Sequence, residues 1–305
     1  NAAKGQVTGL YPLGTLTMKA EGKDLAELYD MQNTGAVGFY DFKRPLENAN
    51  LLKIALQYVS NFGGLAYSFP MDAAIAGKGN VNEGESSVRL GLKGIPALAE
   101  ELRIARDLFI LEYTGGKLHI PTLSTAHSVK LIADAKKKGL DVSCSVAIHN
   151  LLYFDSKLAD FDAAYKVMPP LRTKEDTKAL INGVNYGSID FVTTDHIPMS
   201  IEEKQVEFEN ASYGTIGLES SFGALNRIFD TETAIDLLTK GRERYGMEPP
   251  KIREGEAANL TLFDPDVEYR FEAKDIHSTS KNSMFLDAEF KGKVYGVINN
   301  GQALF

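Results

Sequence analysis

The sequence predicts an α/β fold in which parallel strands are joined by crossover helices, followed by a small β domain. Two observations carry this. Up to about residue 250, apolar β-rich runs alternate with amphipathic helical stretches, and from Lys251 onward only short strands and turns remain. The expected strands are Val7 to Leu16, Val37 to Phe42, Leu65 to Phe69, Lys117 to Leu123, Val142 to Ile148 and Ile189 to Asp195. Between them Leu51 to Tyr58, Ile95 to Glu112, Ser128 to Lys138 and Lys174 to Asn182 repeat apolar residues at three- and four-residue steps, the period of a helix with one buried face. Two more helices are expected over about Leu218 to Phe229 and Glu232 to Tyr245, before the composition shifts at Pro249-Pro250. The tail reads as strands Asn259 to Phe263, Tyr269 to Ala273 and Lys293 to Phe305, with turns at Asp264-Pro265-Asp266 and Asn299-Asn300-Gly301.

Composition narrows the function. With 33 basic and 41 acidic residues the formal net charge is -8, which argues against a nucleic-acid surface or an anionic membrane as partner. A lone cysteine, Cys144, excludes an internal disulfide and a Cys-rich zinc site and fits a reducing, cytoplasmic compartment. No run approaches about 18 apolar residues, the length a membrane span needs. The glycines of Ala76-Gly-Lys-Gly-Asn80 lack the Gly-Lys-Ser/Thr ending of a phosphate loop. Ser200 before Glu202, Glu203 and Lys204 reads as a capped, charged first turn, and Lys136-Lys137-Lys138 as a solvated helix end.

The segment with most chemical content is Phe191-Val-Thr-Thr-Asp-His-Ile-Pro-Met199, an apolar strand ending in Thr-Asp-His-x-Pro, followed by Tyr213-Gly214-Thr-Ile-Gly-Leu-Glu-Ser220. Other landmarks stand in a consistent order. They are Tyr11-Pro-Leu-Gly-Thr-Leu-Thr17, Val81-Asn-Glu-Gly-Glu85 with Arg89-Leu-Gly-Leu-Lys-Gly-Ile-Pro96, Leu118-His-Ile120 with Ser124-Thr-Ala126, and Pro169-Pro-Leu-Arg172. In the tail, Glu254 to Pro265 and His277-Ser-Thr-Ser-Lys-Asn282 complete the set. Together they resemble the dihydroorotases, amidohydrolases of pyrimidine synthesis that open and close a cyclic amide at a two-zinc site.

The resemblance implies a (β/α)8 barrel of the TIM type, of which this sequence supplies six of eight strand–helix units. Residues 1–250 would be barrel strands three to eight, and residues 251–305 the C-terminal part of a β-sandwich domain. The family's first two strands, with a metal-binding His-x-His pair, a substrate arginine and an asparagine, have no match here. They are expected to precede Asn1 in a segment that was removed or lies outside this sequence.

Carried over residue by residue, the zinc positions are altered. The bridging carboxylate or modified lysine of the family's fourth strand aligns with Phe42, whose neighbour Asp41 should point to the opposite face. The fifth-strand histidine aligns with Phe69 and the sixth-strand histidine with Thr122, neither a competent zinc ligand at neutral pH, and only Asp195 on the eighth strand is kept. In the substrate pocket, assigned to Met168, Met199 and Gly214, methionines replace a polar asparagine and a histidine. His149 sits where the family has consecutive histidines, and is expected to be structural or at the surface. His119 is expected to be a satisfied barrel histidine, His196 a brace for the strand end, and His127 and His277 solvent-facing or capping.

The favoured expectation is a non-catalytic dihydroorotase-like protein without zinc or other cofactor, with Asp195 vestigial. It would be a homo-oligomer working through protein contacts, aspartate transcarbamoylase being the partner the resemblance implies. Two alternatives remain. One is an active zinc-dependent cyclic amidohydrolase completed by an N-terminal segment, and the other is a protein that binds a small molecule in the old pocket.

Overall fold

Six stretches of backbone run parallel and in sequence order, which brings their C-terminal ends to one face. Gly14 bridges Phe39 and Phe39 bridges Ala66. From there β1 (Leu65–Tyr67), β2 (Lys117–Ile120), β3 (Val142–Ala147) and β4 (Phe191–Thr193) pair side by side. The structure is a computed structural model that describes residues 7–305. Residues 1–6, where the expected barrel segment begins, lie outside the described residues.

The crossovers are the four expected helices, α1 (Ala49–Ser60), α2 (Leu98–Thr114), α3 (Ala126–Lys137) and α4 (Lys174–Asn185). Local chemistry sets three of their starts. The side chains of Asn48, Thr125 and Thr173 each accept a first-turn N–H, and Asp176 returns a bond to the Thr173 N–H. Leu52, Leu56, Ile104, Leu111, Ile132 and Leu180 then face the strands in one core with Leu118, Ile120, Cys144 and Val146. Among the described residues, no helix is long and apolar enough to cross a membrane.

Several expected boundaries change. Val7 to Leu16 and Val37 to Phe42 do not form ladders. They contribute single bridging residues, because Pro12 offers no N–H and the chain bends into a loop after Tyr40. The expected helix over Glu232 to Tyr245 divides into α5 (Thr231–Thr239) and a last turn at Gly241–Arg244, where Gly241 passes close to the Phe191 ring.

In the tail, Asp264-Pro265-Asp266 does not turn the chain. It is a bulge inside one long strand, β5 (Leu260–Arg270), where the register with β6 (Glu289–Asn299) shifts between Asp264 and Glu268. Asn226 explains the bulge, since its amide donates to the Pro265 and Lys291 carbonyls and holds the break against the barrel. The second expected turn is present. Asn300 and Gly301 both have positive φ and lead into β7 (Gln302–Leu304), as a two-residue hairpin requires. Phe271, Phe285 and Phe290 of the tail pack into the main core, so the hydrophobic interior continues from barrel to tail.

Candidate functional site

The residues assigned to the site all lie beyond the C-terminal ends of the parallel strands. Phe42 follows the Phe39 bridge, Phe69 follows β1, Thr122 follows β2, His149 follows β3 and Asp195 follows β4. This is the face where barrels of this kind place their chemistry.

Asp195 is 7% exposed and already has a partner. The Lys43 ammonium lies 2.6 Å from its Oδ2 and also donates to the Met168 carbonyl. Both residues sit in left-handed backbone, φ +54° at Lys43 and +45° at Asp195, a conformation that non-glycine residues adopt only where the surroundings hold them. Burial lowers the Lys43 amine from its ordinary value, and the charge of Asp195 opposes that shift. Removing either partner would leave the other as a buried, uncompensated charge.

Around this pair the expected ligand positions carry no competing donors. Phe42 is largely exposed, with its ring edge-on to Tyr40. Asp41 is buried and accepts from Thr15, from the Leu16 and Thr17 N–H groups and from the Thr17 hydroxyl, so its carboxylate fastens the 15–17 segment. Phe69 packs with Met71, Ile95 and Ala99, and Met168 and Tyr40 close over that cluster. Thr122 is buried at φ +52°, and its hydroxyl has no hydrogen-bond partner. His149, expected to be structural or at the surface, is fully buried, and neither ring nitrogen has a partner. Burial pushes its pKa down to about 4, with Asp195 raising and Lys43 lowering it.

The substrate-pocket positions divide between packing and loop structure. Met168 belongs to the apolar cluster, whereas the Met199 N–H donates to the Asn282 side chain. Gly214 donates to the Lys166 carbonyl and accepts from Lys204 and Asn282, so both its backbone groups are engaged. A Cβ at Gly214 (φ +150°) would stand 2.8 Å from the Ile197 side chain. Lys204, expected in a charged first turn, does not face solvent there. It points inward to the carbonyls of Lys166, Ser212 and Gly214, and burial brings its pKa down to about 8. The cap on its helix is as expected, with Ser200 and Glu203 bonding reciprocally.

A binuclear zinc centre needs several anionic or imidazole donors converging on the ions. Among the described residues no three His, Cys, Asp or Glu side chains are grouped to hold a metal. Asp195 faces an ammonium, so the described residues do not fit the two-zinc group. The other histidines have structural settings. His119 bonds Ser143 and Ser145 inside the barrel, and His196 Nδ1 accepts from the Gly217 and Leu218 N–H groups. His127 and His277 are exposed.

Sequence reasoning missed Lys43. The available signal was a long cationic side chain one residue past the expected ligand position, in Asp41-Phe-Lys-Arg44. It also missed the buried network of Glu100, Ser124 and Arg172, which ties the start of α2 to the loop after β2 and to the Pro169-Pro-Leu-Arg172 segment.

Parallel strands in sequence order, crossover helices, a site at the strand C-termini and an aspartate just past the last strand define an amidohydrolase-type barrel. Solved structures agree. An L-hydantoinase (dihydropyrimidinase) from Arthrobacter aurescens superposes with a TM-score of 0.79 at 22% identity, covering 91% of this chain and 66% of that one. A D-hydantoinase superposes with a TM-score of 0.77 at 21% identity, covering 89% of this chain and 64% of its own. A family model for dihydro-orotase-like proteins matches residues 3–128. Over its whole length this chain is 34% identical to a dihydroorotase of Geotalea daltonii, covering 73% of that protein. It is 36% identical to a dihydroorotase of Pelotomaculum thermopropionicum over 99% of this chain and 72% of that one. The chain belongs to the dihydroorotase family. It spans nearly three quarters of these dihydroorotases and just under two thirds of the two hydantoinases.

Proposed function

We propose that this chain is a dihydroorotase-family barrel that has left catalysis and works through protein contacts, with aspartate transcarbamoylase as its partner. The observation that supports this most is the packing of Phe69 and Met168 into one apolar cluster at the strand ends, beside an Asp195 already paired with Lys43. Hydrolysis of a cyclic amide needs an activated water and a base within reach of it. Asp195 is held by an ammonium, His149 is kept neutral by burial, and Asp41 is engaged by residues 15–17. A pocket with methionine at 168 and phenylalanine at 69 also offers a polar cyclic ureide few hydrogen-bond partners.

The partner follows from the resemblance, since some relatives of this kind assemble with aspartate transcarbamoylase and support it. Size-exclusion chromatography of the full-length protein with aspartate transcarbamoylase is expected to show co-migration, and separate elution would remove the named partner. The same column reads homo-oligomerisation. Elemental analysis of the purified full-length protein is expected to find zinc well below one ion per chain, and stoichiometric zinc would favour the active-enzyme reading.

A further inference from the structure

We infer that Lys43 is a built-in cation that takes the place of a divalent ion at the barrel mouth, its ammonium cross-linking three strand-end loops through Asp195 and the Met168 carbonyl. The inference rests on the non-catalytic reading above and adds what keeps the mouth together. A bound ion joins the ends of several strands because donors from different loops converge on it. Lys43 does the same with hydrogen bonds. Its own backbone belongs to the loop after the Phe39 bridge, where its N–H donates to the Tyr40 hydroxyl at 3.1 Å. Its ammonium reaches Asp195 in the loop after β4 and the Met168 carbonyl in the loop before Pro169-Pro170.

The surroundings explain why a cation is needed there. The Asp195 side chain is only 4% exposed, and Phe69, Met71, Met168 and Tyr40 form an apolar cluster beside the pair. A carboxylate in such a place requires a positive partner or must give up its charge. The backbone also accommodates the lysine. Phe42 is 58% exposed, and the left-handed turn at the next residue carries the Lys43 side chain inward, leaving it 13% exposed. The ammonium lies 5.8 Å from the Phe42 ring centre, so the residue at the former bridging position flanks the replacement cation.

The test is a melting series on the full-length protein at neutral pH with Lys43→Met, Asp195→Asn and the double variant, each with and without added zinc chloride. Each single variant is expected to melt on the order of 5–10 °C lower, because it leaves a buried charge or dipole unpaired. The double variant, which removes both charges, is expected to melt no lower than the worse single. Should Lys43→Met fail to fold, a folded double variant supports the pairing and an unfolded one overturns it. Losses that simply add in the double variant would overturn it too. So would a zinc-dependent rise in the wild-type melting point that Asp195→Asn abolishes, since an ion would then be taking the carboxylate from the lysine. Turnover of dihydroorotate by the wild type would sink the non-catalytic reading, while the melting series decides the role of Lys43 separately.

Discussion

Two fully buried histidines lie at different depths of the same barrel and are treated in opposite ways. His119, inside on β2, has both ring nitrogens bonded, to Ser143 Oγ at 2.8 Å and Ser145 Oγ at 3.1 Å, and its ring stacks on Phe191. His149, at the mouth beyond β3, has neither nitrogen bonded. The difference follows from how the partners are supplied. His119 stands opposite Ser143 in the β2–β3 register, so strand pairing itself delivers its hydrogen bond. His149 lies in a short helical segment past the end of β3, where no strand register provides one. Most buried polar groups have partners, and an orphan needs a reason. At the mouth, burial without a partner keeps the His149 imidazole neutral.

Four perturbations test the contrast between the two histidines. His119→Ala should cost the most, about 3–4 kcal/mol for a cavity and two lost bonds, read as a lower urea midpoint. A loss under about 1 kcal/mol would mean that the interior network is not structural.

Acid comes next. Both imidazoles are held neutral in the fold by burial, His119 well below the ordinary histidine value and His149 at about 4. Because these folded values are depressed, the unfolded chain takes up protons first. Stability should therefore fall as pH drops below about 6.5, with the His149 share, about 3 kcal/mol, fully lost near pH 4. His149→Leu should flatten that slope while changing stability at neutral pH by no more than about 1 kcal/mol, since no hydrogen bond is lost. A steep cost at neutral pH would reveal a partner for the ring.

The smallest effects separate two hydroxyls. Ser145→Ala removes a partner of His119 and should cost about 1 kcal/mol, whereas Thr122→Val removes a buried hydroxyl with no partner and should be neutral or slightly stabilising. Paired denaturation curves read the difference, and equal losses would erase the contrast between interior and mouth.

Much of the architecture was legible because it rests on periodicity. Alternating runs located the parallel strands, three- and four-residue spacing located the four crossover helices, and Ser200 with Glu203 announced a capped helix. The bulge at Asp264 to Glu268 was not legible, because Asp-Pro-Asp is also a turn signal and only the Asn226 side chain from the barrel tells the two apart. At the mouth, Phe42, Phe69 and Thr122 lie beyond the strand ends, where the sequence reading put them. Lys43 and Lys204 could not be placed in this way, because sequence patterns send charged residues to solvent, and only tertiary structure shows which carbonyls and carboxylates await them.

The most direct measurement is dihydroorotate turnover in both directions by the full-length protein with added zinc, alongside Asp195→Ala. No turnover above background is expected in either protein. Turnover by the wild type that disappears in Asp195→Ala would contradict the non-catalytic reading, because Asp195 would then be serving a metal-activated water in place of Lys43.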